Sequence, residues 1–229
     1  MNTNYTYLLV LIISFAGPFA LSFDKKVAFY KNWKRLVPAI LLPAALYITW
    51  DIYFTSIGVW GFNETYILGA TFFQLPVEEV LFFFVIPYCC VFIYECLRTY
   101  FPGIRNMGTG DRVLKLLGII LLITGLSFYD KLYTSWTFFF CAAFIAVIYL
   151  FRKFFRHFHP TYFLVSYVLI VIPFLIVNGI LTAIPIVWYN DAENMGLRIY
   201  TIPFEDLFYG MLLVMMNISI YEKLKGNRS

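Results

Sequence analysis

Charge is what this sequence has least of. Only 13% of its 229 residues are Asp, Glu, Lys or Arg, where ordinary soluble domains carry about 25%. Too few polar groups remain to cover a water-facing surface, which excludes a soluble globular enzyme. Histidine is almost missing: His157 and His159 lie in the basic stretch RKFFRHFH, lack a third ligand, and are expected to face phospholipid headgroups. No metal is expected. The four cysteines, Cys89, Cys90, Cys96 and Cys141, fall inside apolar runs without the paired spacing of a metal site or a disulfide framework; they read as small apolar packing residues. No Gly-x-Gly-x-x-Gly fingerprint occurs, so nothing argues for a dinucleotide or flavin domain. A net charge of +4 says little alone, and no nucleic-acid partner is expected.

What the sequence has is apolar length. Hydrophobic residues make up 62%, the mean hydropathy is +0.78, and aromatics reach 21%, with 26 Phe, 18 Tyr and 5 Trp. At about 20 residues per crossing, seven runs are long enough to span: 5–23, 36–55, 77–97, 113–129, 133–151, 162–184 and 204–224. The expected class is an all-α polytopic membrane protein, one domain over 1–229. The apolar stretch 66–75, cut from the third span by Pro76, reads as a re-entrant or interfacial lead-in.

The basic residues set the orientation. Lys25, Lys26, Lys31, Lys34 and Arg35 follow span one; Arg98, Arg105, Arg112 and Lys115 follow span three; Arg152, Lys153 and Arg156 follow span five; Lys223, Lys225 and Arg228 follow span seven. Only Lys131 and Arg198 remain for the opposite side. The positive-inside rule then gives an uncleaved first helix, an outside N-terminus, seven crossings and a cytoplasmic C-terminus. The acids show the reverse bias: Glu64, Glu78, Glu79, Asp130, Asp191, Glu193, Glu205 and Asp206 gather at the outer side, with Asp51 near the outer end of span two. Carboxyls at membrane depth are costly and mark function.

An internal repeat organises these acids. LPVEEVLFFF and IPFEDLFYGM share a motif that begins at Pro76 and at Pro203, an offset of 127 residues. The same offset takes Glu78 to Glu205, Glu79 to Asp206, Phe82 to Tyr209, Asp51 to Asn178, Asn63 to Asn190 and Glu95 to Glu222. It carries spans one, two and three onto spans five, six and seven. The plan is repeat one over 1–100, a linker helix over about 113–129 and repeat two over 130–229. Three crossings plus one linker set the repeats parallel, about an axis along the membrane normal, so that Glu78 and Glu205 share a depth.

Pro followed by acids is an ordinary helix start that suits the macrodipole. Its recurrence at equivalent positions, each beside an intramembrane helix, points to function as well, and the two roles are compatible. Two carboxyls in apolar surroundings divide into an acid and a base, and aromatic faces such as Phe82 and Tyr209 stabilise a cation. Glu78, Glu79, Glu205 and Asp206 are therefore the candidate catalytic acids. Trp50, Asp51 and Asn178 are candidate substrate-binding or supporting residues. Asn190 and Arg198, in the loop before the second motif, are candidates to orient or neutralise Glu205 and Asp206. Glu95 and Glu222, beside Arg98 and Lys223, read as interfacial ion pairs.

With those motifs in view, the chain resembles the membrane-integral lycopene cyclase domain family, known as heterodimeric bacterial cyclases, fused archaeal and bacterial chains, and the cyclase part of fungal bifunctional enzymes. WDIYFTSIGVWGFNETYILG (50–69) and LPVEEVLFFFVIPYCCVFIYECL (75–97) carry the likeness in repeat one. NGILTAIPIVWYN (178–190) and RIYTIPFEDLFYGMLLVMMNISIYE (198–222) carry it in repeat two. The resemblance implies a cofactor-independent, non-redox cyclisation of the linear ψ-end of a C40 carotenoid such as lycopene to a β-ring, an isomerase-type reaction in carotenoid biosynthesis. It implies Glu78, Glu79, Glu205 and Asp206 as the motif acids, although the second motif ends in the shorter Asp. It also implies a prokaryotic cytoplasmic membrane, with the bilayer, the lipophilic substrate and other carotenoid-pathway enzymes as partners. No prenyl-diphosphate synthase segment follows here, so the second activity of the fungal enzymes is not expected.

The rival from another class is a small proton-coupled transporter, which also uses three-one-three helices and chamber carboxylates. Polar lining for a hydrophilic solute is scarce beside the Phe-rich motifs. A retinal protein would need a Lys within span seven before Lys223. A membrane prenyltransferase would need aspartate clusters where spans two and six offer Asp51 and Asn178.

Overall fold

The computed structural model describes residues 3–106 and 108–226; Arg228 lies outside the described residues, and the Arg105 side chain is not described. Seven α-helices follow one another: α1 (Thr6–Leu21), α2 (Trp33–Ser56), α3 (Val77–Tyr100), α4 (Gly110–Ser127), α5 (Leu132–Leu150), α6 (Pro160–Ala183) and α7 (Glu205–Gly226). Each matches one expected span within a few residues. Pro18, Pro38, Pro43, Pro87 and Pro173 sit inside helices, which membrane helices tolerate because neighbouring groups satisfy the freed carbonyls.

Six of the seven helices are long and apolar enough to cross a membrane. The exception is α4. Asp111, Arg112 and Lys115 load its first two turns, and Asp111 pairs with Arg152 at 2.7 Å at the end of α5. Leu9, Ile13, Leu116, Leu150, Val168 and Ile172 are exposed on the bundle's outside, an apolar belt that lipid, not water, would cover.

Three short antiparallel ladders join the helices: β1 (Trp60–Phe62) with β4 (Val187–Tyr189), β2 (Thr71–Phe72) with β3 (Leu75–Pro76), and β5 (Arg198–Ile199) with β6 (Ile202–Pro203). They were not expected; strands of two or three residues are too short to show a period of two. The later part of the stretch read as a re-entrant or interfacial lead-in forms the β2–β3 hairpin. Phe73 and Gln74 form its turn with φ of 47° and 71°, the left-handed geometry of a two-residue hairpin loop. The β5–β6 hairpin turns at Tyr200, φ 60°. Phe73 is 70% and Tyr200 82% exposed, and they stand 127 residues apart, where aromatic anchors at a membrane interface would be.

The pairing of β1 with β4 follows the same offset. Gly61 lies opposite Trp188, its own counterpart, with Trp60 opposite Tyr189 and Phe62 opposite Val187. Gly61 is required here, because a Cβ would stand 2.4 Å from the Trp188 ring. The two hairpins also correspond residue for residue, and Val77 N–H donates to Ala70 O at 3.0 Å as Phe204 N–H does to Leu197 O at 2.9 Å. Pro76 and Pro203 end the hairpins and so stand before their helices, not inside them.

Candidate active site

Hairpin and helix start together divide each acidic motif. Glu78 turns back to its own hairpin loop, where its Oε1 accepts from Leu68 N–H at 2.7 Å. Glu205 does the same, with Oε1 accepting from Met195 N–H at 2.8 Å and from the Thr134 hydroxyl at 2.5 Å. Both are fully buried, and neither is among the residues lining the cavity beside them. Glu79 and Asp206, one position further round the helix, face inward and line it.

This cavity has a volume of about 280 Å³ and lies among α1, α3, α6 and α7, under the β1–β4 ladder. Asp51, Glu79 and Asp206 are its acids, and no Lys, Arg or His is among its lining residues. Hydroxyl, indole and amide groups supply the donors. The Tyr7 hydroxyl donates to Glu79 Oε2 at 2.5 Å. Trp60 Nε1–H donates to Asp51. Asp206 accepts from the Tyr133 hydroxyl, from the Tyr189 hydroxyl at 2.8 Å and from Asn178 Nδ2 at 3.2 Å. Burial first, and the Asp206 charge next, push the Tyr189 hydroxyl well above its ordinary pKa, so it remains a donor at any physiological pH.

The two halves differ at one chemical point. Asp51 and Glu79 both line the cavity, and the second Asp51 oxygen has no hydrogen-bond partner among the described residues. Two carboxyls that share a site can hydrogen-bond to each other only when one of them is protonated. The corresponding residues in the other half are Asn178 and Asp206, where an amide donates to the carboxyl.

Aromatic rings close the site. Tyr209 stacks edge-on against Tyr47 (4.7 Å between centroids), Trp50 (5.2 Å) and Trp60 (5.9 Å), and Phe82 and Tyr209 both line the cavity. Trp50 is outside this lining and packs behind Tyr209.

Of the expected site residues, Asp51, Glu79, Phe82, Asn178, Asp206 and Tyr209 come together here. Asn190 and Arg198 do not. Arg198 is tied in the loop before α7 to Asp191 and to Thr201 O, and the Asn190 side chain caps Ala192 N–H at 3.0 Å; the loop turns both away from Asp206. The hydrogen bonds from Asn194 and Arg198 hold Asp191 below the usual carboxylate range. Tyr7, Trp60, Tyr133 and Tyr189 were not singled out. The offset of 127 was the available signal for two of them, since it aligns Thr6-Tyr7 with Tyr133-Thr134, just where each first helix of a repeat begins.

At the end of the bundle away from the hairpins, Glu95 pairs with Lys225 at 2.6 Å and Glu222 with Arg98. The expected partner Lys223 instead lies over the Phe154 ring at 3.6 Å. Lys225, not Lys223, is the position equivalent to Arg98, so the two bridges cross between the halves as a related pair.

The profile of the lycopene cyclase family matches two segments, residues 4–97 and 130–224, leaving out the α4 region. A bifunctional lycopene cyclase/phytoene synthase of Aspergillus oryzae is 25% identical over 96 residues, 42% of this chain and 16% of that protein. Another, from Phaeosphaeria nodorum, is 34% identical over 63 residues, 27% of this chain and 11% of that protein. Both relatives are fungal and far longer than the stretch they share with this chain, so the expected prokaryotic source finds no support in them. No solved structure matches.

Proposed function

The chain belongs to the lycopene cyclase family, and from that premise we propose that it closes the linear ψ-end of lycopene into a β-ring by acid–base chemistry. The observation that carries this reading is the trio Asp51, Glu79 and Asp206 on a buried apolar cavity with no cation among its lining residues. The Asp51–Glu79 pair, two carboxyls on one cavity without a cation among its lining residues, supplies the acid. It protonates the terminal double bond of the substrate. The neighbouring double bond attacks the resulting tertiary cation and closes a six-membered ring. Asp206, whose acceptors are aligned by Tyr133, Tyr189 and Asn178, then removes the ring proton and leaves the ring alkene.

One proton enters and one leaves, so substrate and product are isomers and the balance calls for no electron carrier. The rings of Trp60, Phe82 and Tyr209 stabilise the cation, by up to about 2 kcal/mol each when desolvated, and keep water from trapping it. Glu78 and Glu205 act as positioning residues: by fixing the hairpin loops to α3 and α7 they hold the next residue of each helix toward the cavity.

In this reading the two repeats are parallel units of three helices with α4 as the linker crossing. The basic loops put the N-terminus outside and the C-terminus in the cytoplasm, so the acids work at the outer half of the bilayer. The substrate arrives from the lipid, where it dissolves, and neighbouring carotenoid enzymes are the natural partners. Expression in cells that accumulate lycopene tests the reading. Product with β-rings is expected; unchanged pigment from folded, membrane-inserted protein would refute it.

A further inference from the structure

The cavity that holds the acids is a slot. On α3 its lining runs Glu79, Phe82, Ile86, Cys89 and Ile93, one face of the helix over about 21 Å. Ser14 and Pro18 of α1 and Pro173, Phe174 and Val177 of α6 form the far side. Pro173 is exposed although it lines the slot, so the slot opens sideways at α6 into the apolar belt. Ligand cavities commonly run to about 300–1,000 Å³, and 280 Å³ is at the small end. It suits one end of a narrow chain whose remainder lies outside.

A second groove of about 720 Å³ runs along α2, α5 and α7. Its α2 residues Leu46, Tyr47 and Trp50 stand 127 positions before Pro173, Phe174 and Val177 of the slot. The bundle thus carries two related grooves, and only the slot reaches carboxyls; no acid lines the second. Between them stands an aromatic wall. Trp50 and Tyr47 pack on Tyr209, and the Tyr47 hydroxyl donates to Tyr209 O at 2.9 Å. Where this wall has Trp50, the slot has Val177.

We infer that the slot among α1, α3 and α6 is the single lateral portal of the acids, that its occupant is the linear polyene, and that Val177 against Trp50 decides which groove is open. This rests on the cyclase reading and adds to it which groove the chain threads. A substrate with two reactive ends must back out into the bilayer and re-enter by its other end.

The test builds the wall on the open side. Val177→Trp, reconstituted in liposomes with lycopene, is expected to lose about 10²-fold in turnover, the scale of loss when a substrate is kept from its reacting geometry. Val177→Phe, a smaller plug, is expected to lose less and keeps the test decisive should the Trp variant not fold. Ala143→Trp, which fills the exposed second groove, is expected to leave turnover unchanged. A second readout is the acyclic C40 polyene retained per protein after detergent washing, measured by absorbance: wild type and Ala143→Trp retain it and Val177→Trp does not. If wild type retains the polyene but never cyclises it, the cyclase reading falls while retention still judges the portal. Wild-type turnover and retention in folded Val177→Phe or Val177→Trp, or an equal loss in Ala143→Trp, would overturn the inference.

Discussion

Glu95 and Glu222 at one end of the bundle and Asp51, Glu79 and Asp206 at the cavity near the other are the same chemical group, all buried in one helical domain. Their partners differ. Glu95 and Glu222 each meet a cation of the other half, Lys225 or Arg98, whereas the cavity acids meet hydroxyl, indole and amide donors. An ion pair answers the cost of burying charge and staples the halves together. Carboxyls left without a cation are a standing cost to stability. Glu78 and Glu205 offset it by fixing the hairpin loops to their helices, and the proposed acid–base chemistry gives the three cavity acids a use. The ion-paired end shows what this bundle does with acids that hold it together.

Breaking the cavity group is expected to give the largest effect. Glu79→Gln removes the proton-holding carboxyl while keeping its shape and its bond from Tyr7, and should lower turnover at least 10²-fold, as expected for a general acid. Turnover measured in liposomes at equal folded protein checks it. Asp51→Asn comes next. It gives repeat one the amide that repeat two has at Asn178 and removes one of the two carboxyls of the proposed acid, and a loss of roughly tenfold or more is expected from kinetics on the same preparation.

Glu78→Gln and Glu205→Gln sharpen the division within each motif. The amide oxygen can still accept from Leu68 N–H or Met195 N–H, and the amide nitrogen can use the position of the unpartnered Oε2. Turnover per folded protein should stay within about threefold, the residual of a changed positioning contact and far from a lost acid or base. Loss on the scale of Glu79→Gln would move the catalytic role back to these residues. Smallest in turnover is Glu95→Gln. It leaves Lys225 unpaired at a part-exposed position, and should cost about 1 kcal/mol in stability, read as a lower thermal midpoint, with turnover unchanged.

The sequence made the helices, the repeat and the acidic motifs legible because each is written in long apolar runs or in an offset that needs no gap. It could not separate Glu78 from Glu79. Neighbours on a helix are about 100° apart, and which one faces the cavity depends on the hairpin that receives the other. The hairpins themselves are too short to show a period. Arg198 looked like a counter-ion for Asp206 because it lies close in sequence, yet the β5–β6 turn directs it to Asp191. Tyr7, Tyr133 and Tyr189 come from three separate elements, and only packing shows that their hydroxyls meet the acids.

The most direct test of the contrast between the two ends sets Asp206→Asn beside Glu222→Gln. Both remove one buried carboxylate from α7 and keep its hydrogen-bonding shape. Lycopene turnover is measured in liposomes at equal folded protein for the two variants and wild type. The account predicts that Asp206→Asn falls at least 10²-fold while Glu222→Gln turns over like wild type and is only less stable. Wild-type turnover in Asp206→Asn, or an equal fall in both, would contradict it.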